Sequence, residues 1–145
     1  MIKFIIFDLD GVLVDAKKIH YNTLNQALSE IDSNYIISEA EHLSLYDGLK
    51  TNQKLDLLTK NKNLDKKHHD QIWNTKQRLT IESISKLEKD TNLINLFLSL
   101  RNKGYKLACC SNSIRRSVLV MLSKIGLIEY MDLILSNEDV KNAKP

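Results

Sequence analysis

Phe4-Ile5-Ile6-Phe7-Asp8-Leu9-Asp10-Gly11-Val12-Leu13-Val14-Asp15 is an apolar run that stops at two carboxylates and a glycine. Four consecutive aromatic and β-branched residues, with no polar alternation, predict a buried parallel strand over residues 3–7. In extended chain the spacing of Asp8 and Asp10 points both carboxylates to one side, and Gly11 lets the backbone turn sharply after them. In open parallel sheets, ligands gather at the carboxyl ends of strands, where this pair lies.

Two further runs match the first. Residues 105–110, Tyr-Lys-Leu-Ala-Cys-Cys, follow Gly104 and end at Ser111-Asn112-Ser113, while residues 132–136 read Asp-Leu-Ile-Leu-Ser. Between them Val118, Met121, Leu122 and Ile125 recur at helical spacing, with Ser113 placed to cap the helix and Gly126 to end it. Before the second run, Leu93, Leu96, Phe97 and Leu100 repeat that spacing, with Thr91 as a cap and Gly104 as a stop. Helix and strand thus alternate across connections too long for hairpins, which predicts an α/β fold with a Rossmann-like, doubly wound parallel sheet. From Asp15 to about Lys89 strand-like runs are absent. Ile19, Leu24 and Leu28, then Leu55 and Leu58, then Ile72, Leu79, Ile84 and Leu87 mark helices, with a turn at Asp47-Gly48, Thr51 as a cap, and one long helix over 65–89. The expected organisation is an α/β core of residues 1–14 and 89–145 interrupted by an inserted helical unit, 15–88.

Composition removes several alternatives. With 43% hydrophobic residues the chain can bury a core, and no apolar run approaches the roughly 20 residues of a membrane helix. Cys109 and Cys110 are adjacent and cannot easily bridge to each other, which fits a reducing, cytoplasmic setting. The net charge of +3 is scattered, apart from Lys66-Lys67-His68-His69, and no basic stripe interleaved with aromatics points to nucleic acid.

The chemistry concentrates at the strand ends. An isolated Asp after a strand is an ordinary solvated loop residue, but two aspartates and a glycine there support catalysis. One carboxylate can attack phosphorus to form an acyl phosphate, while the other protonates the leaving oxygen and then activates water. Mg²⁺ is the expected cofactor, since Asp8 and Asp10 supply hard oxygen ligands and the attack of an anion on an anion needs positive charge. Ser111 and Asn112 occupy the equivalent end of the second strand, so that hydroxyl, amide and helix N-terminal N–H groups form a phosphate cradle with Ser113.

Phe7 to Asp15, Cys110-Ser111-Asn112 and Lys144-Pro145 together resemble the haloacid dehalogenase superfamily. The resemblance implies Asp8 as nucleophile, Asp10 as general acid/base, Ser111 as phosphate ligand and Lys144 as the cation that stabilises nucleophile and phosphoryl charge. Lys141, which lacks the following proline, is the lesser alternative to Lys144. The insertion resembles the helical cap of the branch containing phosphoglycolate phosphatase and β-phosphoglucomutase. In that branch His20, Gly48 and Lys50 match positions that approach substrate, although His20 also suits a plain helix residue and Lys50 a solvated lysine. Lys76 is a further candidate on the returning helix. Thr51 stands where the mutases carry arginine, and Ala16 where many members have threonine or serine, which favours a phosphatase over a mutase.

The resemblance also implies a fourth, acidic motif that completes the metal site, and Asp132, Glu138 and Asp139 precede the lysine motif and do not match it. A core truncated at its C-terminal end, with the first strand's outer edge uncovered and prone to self-association, is the resulting expectation. The expected function is a Mg²⁺-dependent phosphatase of a small phosphorylated metabolite. The competing reading is a non-catalytic domain that binds phosphate or a protein partner. Against it stands the mutual repulsion of Asp8 and Asp10, a cost that a scaffold gains nothing from bearing. A receiver domain phosphorylated on aspartate shares the acid, hydroxyl and lysine, but the helical insertion after the first strand speaks against it.

Overall fold

The computed structural model describes residues 1–144. The chain divides into two compact units, one formed by residues 1–16 with the chain from 83 onward, the other by residues 17–82. The sequence reading places these boundaries at 14/15 and 88/89.

In the first unit three strands, β1 (Phe4–Phe7), β2 (Lys106–Cys110) and β3 (Leu133–Leu135), form a parallel sheet in the order β1-β2-β3. Phe7 lies opposite Cys109, and Cys110 opposite Leu135. Leu107, Ala108 and Cys109 of the central strand are buried, as a strand paired on both sides requires.

β1 is not the buried strand its apolar run suggests. It lies at the sheet edge, where Phe4 is 44% and Ile6 64% exposed, while on its other face Phe7 packs on Phe97 with ring centroids 4.8 Å apart. An apolar run reports affinity for a core, whereas burial on both faces depends on which other elements pack there.

Helix α5 (Thr91–Asn102) precedes β2, and α6 (Arg115–Lys124) joins β2 to β3. Phe97 is the fully buried residue of α5; Leu96, read as part of its apolar face, is 47% exposed. The cap of α5 is Asp90 rather than Thr91, its carboxylate accepting from Leu93 N at 3.0 Å. Asp is at least as good a cap as Thr, and the two stand side by side. α6 begins after Ile114 without a side-chain cap from its own chain start; Glu138 from beyond β3 accepts the Arg115 N–H, and Ser113 is directed elsewhere. Gly126, at φ +83°, ends α6, and a Cβ there would come within 2.7 Å of Ile94 Cδ1.

The second unit contains α1 (Lys17–Ser29), a short α2 (Glu39–Glu41) running into a π turn over His42–Tyr46, then α3 (Thr51–Lys62) and α4 (His69–Ile84). Leu24, Leu28, Ile37, Tyr46, Leu55, Leu58, Leu64 and Ile72 pack into its core. Thr51 is the first residue of α3 rather than its cap, and its hydroxyl accepts from Gln77 Nε2 at 3.2 Å. The single helix expected over 65–89 is a 3₁₀ turn at Lys66–His68 followed by α4, which stops at Ile84. Asp65 caps that first turn through Lys67 N. No helix among the described residues is long and apolar enough to cross a membrane.

Candidate active site

The backbone after β1 folds around the Leu9 carbonyl, which accepts N–H bonds from Val12, Leu13 and Val14 at 3.3, 3.0 and 3.0 Å. Leu9 is fully buried, so its neighbours Asp8 and Asp10 turn away from the core, as the two-residue period requires. Gly11 makes the turn at φ +80°.

Each carboxylate meets a different partner. Asp8 Oδ1 accepts from Leu9 N at 2.8 Å and from Lys144 Nζ at 2.8 Å, joining residues 136 apart in sequence. The Lys144 ammonium also donates to the Cys110 carbonyl at 2.7 Å. Asp10 Oδ2 accepts from the hydroxyls of Ser111 and Ser113, each at 3.2 Å. Ser111 is buried at the end of β2, its N–H donating to Leu135 O at 2.9 Å, and its Oγ accepts from Ser113 N at 3.0 Å. Ser113, read as a helix cap, is thus a partner of Asp10.

Asn112 points to Lys144. Its Oδ1 accepts from Lys144 N at 3.0 Å and its Nδ2 donates to Lys144 O at 3.2 Å. The cradle read from the sequence changes accordingly, because the Asn112 amide is engaged by backbone and the first N–H of α6 by Glu138. Lys141 is exposed and Lys144 is the lysine at the carboxylates.

Asp132, Glu138 and Asp139 have structural partners. Asp132 accepts from the Leu107 backbone N–H, Lys106 and Arg101, and the first of these does most to hold its pKa below the usual carboxylate range. Asp139 is held low chiefly by the Ser136 hydroxyl and N–H, with Arg115 adding its charge. Burial, followed by the charges of Asp8 and Asp10, pushes the Cys109 thiol up to about 12.

Asp8 and Asp10 suit Mg²⁺ in kind, since that ion is commonly held by one or two carboxylates together with water and substrate phosphate. Among the described residues no group of three or more His, Cys, Asp or Glu side chains is placed to hold a metal.

The other sequence candidates lie in the helical unit. His20 Nδ1 is 3.5 Å from Lys76 Nζ, Gly48 turns at φ +74°, and the Lys50 N–H donates to Gln53 Oε1 at 3.1 Å. The sequence reading missed the burial of Lys54 and His42, at 4% and 1% exposure. For Lys54 there was a signal, because it shares the inner face of α3 with Leu55 and Leu58 at helical spacing. Burial, reinforced by the Lys54 charge, pushes the His42 pKa down to about 4.

Comparison with known proteins places this geometry in a family. A haloacid dehalogenase-like hydrolase domain-containing protein of Arabidopsis thaliana is 28% identical over 97% of the chain, and a phosphorylated carbohydrates phosphatase of Thermotoga maritima 26% identical over 97%. The chain spans 54% and 64% of the lengths of these two relatives. The crystal structure of CbbY from Rhodobacter sphaeroides in complex with xylulose-1,5-bisphosphate superposes with a TM-score of 0.85 at 17% identity, covering 100% of this chain and 68% of that one, and so shares the fold. The profile of haloacid dehalogenase-like hydrolases matches residues 5–145, and the chain belongs to that family.

Proposed function

We propose that the chain carries the reaction centre of a Mg²⁺-dependent phosphatase acting on a small phosphate monoester through an aspartyl phosphate at Asp8. The observation that carries this reading is the 2.8 Å contact between the Lys144 ammonium and the Asp8 carboxylate. In the first step an Asp8 carboxylate oxygen bonds to phosphorus as the bond to the ester oxygen breaks, and Asp10 delivers a proton to the departing alkoxide. In the second, Asp10 takes a proton from water, whose oxygen attacks phosphorus and releases phosphate and the Asp8 carboxylate. Lys144, whose ammonium donates to the Asp8 carboxylate, holds the nucleophile in place and offsets the charge that gathers on the phosphoryl oxygens. The Ser111 and Ser113 hydroxyls orient Asp10, and Ser111 is the residue read as turning its hydroxyl to the phosphoryl group. Asp8 and Asp10 would hold Mg²⁺, which when bound supplies the positive charge that lets an anionic nucleophile approach an anionic ester.

The helical unit as a substrate-selecting cap bearing His20, Gly48 and Lys50, and a cytoplasmic site of action, belong to the same proposal. A phosphorylated carbohydrate is the favoured substrate class, after the Thermotoga relative named as a phosphorylated carbohydrates phosphatase. The test is Mg²⁺-dependent phosphate release from a generic aryl phosphate and a panel of sugar phosphates. Release abolished by Asp8→Asn and by chelation of the metal supports the reading. Release that survives Asp8→Asn at the wild-type rate overturns it.

A further inference from the structure

Lys144 reaches Asp8 from a segment with no regular structure, since residues 140–144 belong to no helix or strand. A lysine on a free loop would spread its ammonium over many rotamers, and fixing it costs conformational entropy. Something must hold the backbone from which the side chain starts. The Asn112 amide does so at two points, Oδ1 taking Lys144 N at 3.0 Å and Nδ2 giving to Lys144 O at 3.2 Å. One planar group bonded to both the N–H and the C=O of a single residue fixes the position and orientation of that residue's backbone.

Asn112 is itself anchored. It directly follows β2 and Ser111, its carbonyl accepts from Asn137 Nδ2 at 2.9 Å, and Asn137 N donates to Ser113 O at 3.1 Å. The Lys144 ammonium then donates to Asp8 Oδ1 at 2.8 Å and to Cys110 O at 2.7 Å, the latter two residues before Asn112. Backbone and side-chain tip of Lys144 are therefore both referred to the end of β2.

We propose that Asn112 is a positioning residue that seats Lys144 against Asp8, rather than a ligand of the phosphoryl group. The inference rests on the reading of Asp8 and Lys144 as reaction-centre residues, while the seating itself has a readout that does not depend on turnover. Lysine acetylation of the folded, full chain, followed residue by residue by mass spectrometry, reports it. In the wild type, Lys144 reacts more slowly than exposed Lys103 and Lys106; in Asn112→Ala it reacts on the order of tenfold faster, with the other lysines unchanged. Unchanged Lys144 reactivity in a variant with the wild-type circular dichroism overturns the proposal. Asn112→Ser, which keeps one hydrogen-bonding group, is the second variant should the alanine form fold poorly, and its Lys144 falls between the two.

Kinetics supply the other arm. A positioning role predicts that Asn112→Ala lowers kcat with little change in KM, and that adding it to Lys144→Ala causes no further loss. A phosphate ligand would instead weaken inhibition by vanadate and lower turnover equally in both backgrounds, and that result overturns the assignment. Wild-type turnover that ignores Asp8→Asn would defeat the proposed function and leave the acetylation arm to decide the seating.

Discussion

Two asparagines make the same pair of bonds in two different units. In the helical unit Asn25 Nδ2 donates to Ile37 O at 2.8 Å and Asn25 Oδ1 accepts from Ile37 N at 2.9 Å; in the α/β unit Asn112 treats Lys144 the same way. Ile37 is fully buried, so the first clamp secures core packing and satisfies backbone groups near an apolar interior. Lys144 is partly exposed and presents an ammonium to a carboxylate, so the second clamp secures a charge. On the proposed mechanism the same local chemistry serves stability in one unit and reactivity in the other, according to what its partner residue carries.

The largest expected effect that sharpens this contrast is at Asp8. Asp8→Asn should reduce phosphate release by about a thousandfold or more while leaving the thermal midpoint near wild type, because the carboxylate is half exposed and contributes little to packing. An equal loss in both assays would mean that the α/β contacts are structural as well. Next stands Asn25→Ala, which should destabilise the fold by about 2 kcal/mol by leaving the Ile37 backbone groups unpaired, as read by urea unfolding. Asn112→Ala should cost less than about 1 kcal/mol on the same scale, since its site is partly exposed and water can replace the amide. Equal unfolding costs would erase the distinction between the two clamps.

Of comparable size is a pH effect confined to the helical unit. The folded protein keeps His42 neutral down to about pH 4, while the unfolded chain takes up that proton near its ordinary value of 6.5. Stability is therefore complete above pH 6.5 and falls as pH drops toward 4, by on the order of 3 kcal/mol from this group. His42→Phe should flatten that slope, and a slope that persists in urea melts of the variant would assign it elsewhere. The smallest effect concerns adjacent thiols. Cys109, buried and pushed up to about 12, should resist iodoacetamide in the native state, while partly exposed Cys110 reacts first in peptide mapping.

Much of this was legible in the sequence because the decisive signals are local. The strand ending in Asp8-Leu9-Asp10-Gly11 needs only the two-residue period and one glycine, and Gly104 and Gly126 stop α5 and α6 through their own backbone angles. What escaped reading depends on distant partners or on a choice between neighbouring residues of like chemistry. Thr91 and Ser113 have the chemistry of caps, but Asp90 stands beside the first and Asp10 draws away the second. The uncovered outer edge of β1 was expected, but the run Phe4–Phe7 cannot report that the face bearing Phe4 and Ile6 is exposed, because burial is decided by the elements packed beside it. The Asn112 clamp spans 32 residues, a separation at which no periodicity operates.

On the proposed mechanism Asp8 itself takes the phosphoryl group. Its most direct test is to mix the full chain with an aryl phosphate and Mg²⁺, quench during turnover, reduce with borohydride and read residue 8 by peptide mass spectrometry. An acyl phosphate is reduced to the alcohol, so homoserine is expected at position 8, absent when substrate is omitted and absent in Asp8→Asn. Phosphate release with Asp8 unmodified throughout turnover, or phosphate recovered on Ser111 instead, would contradict it.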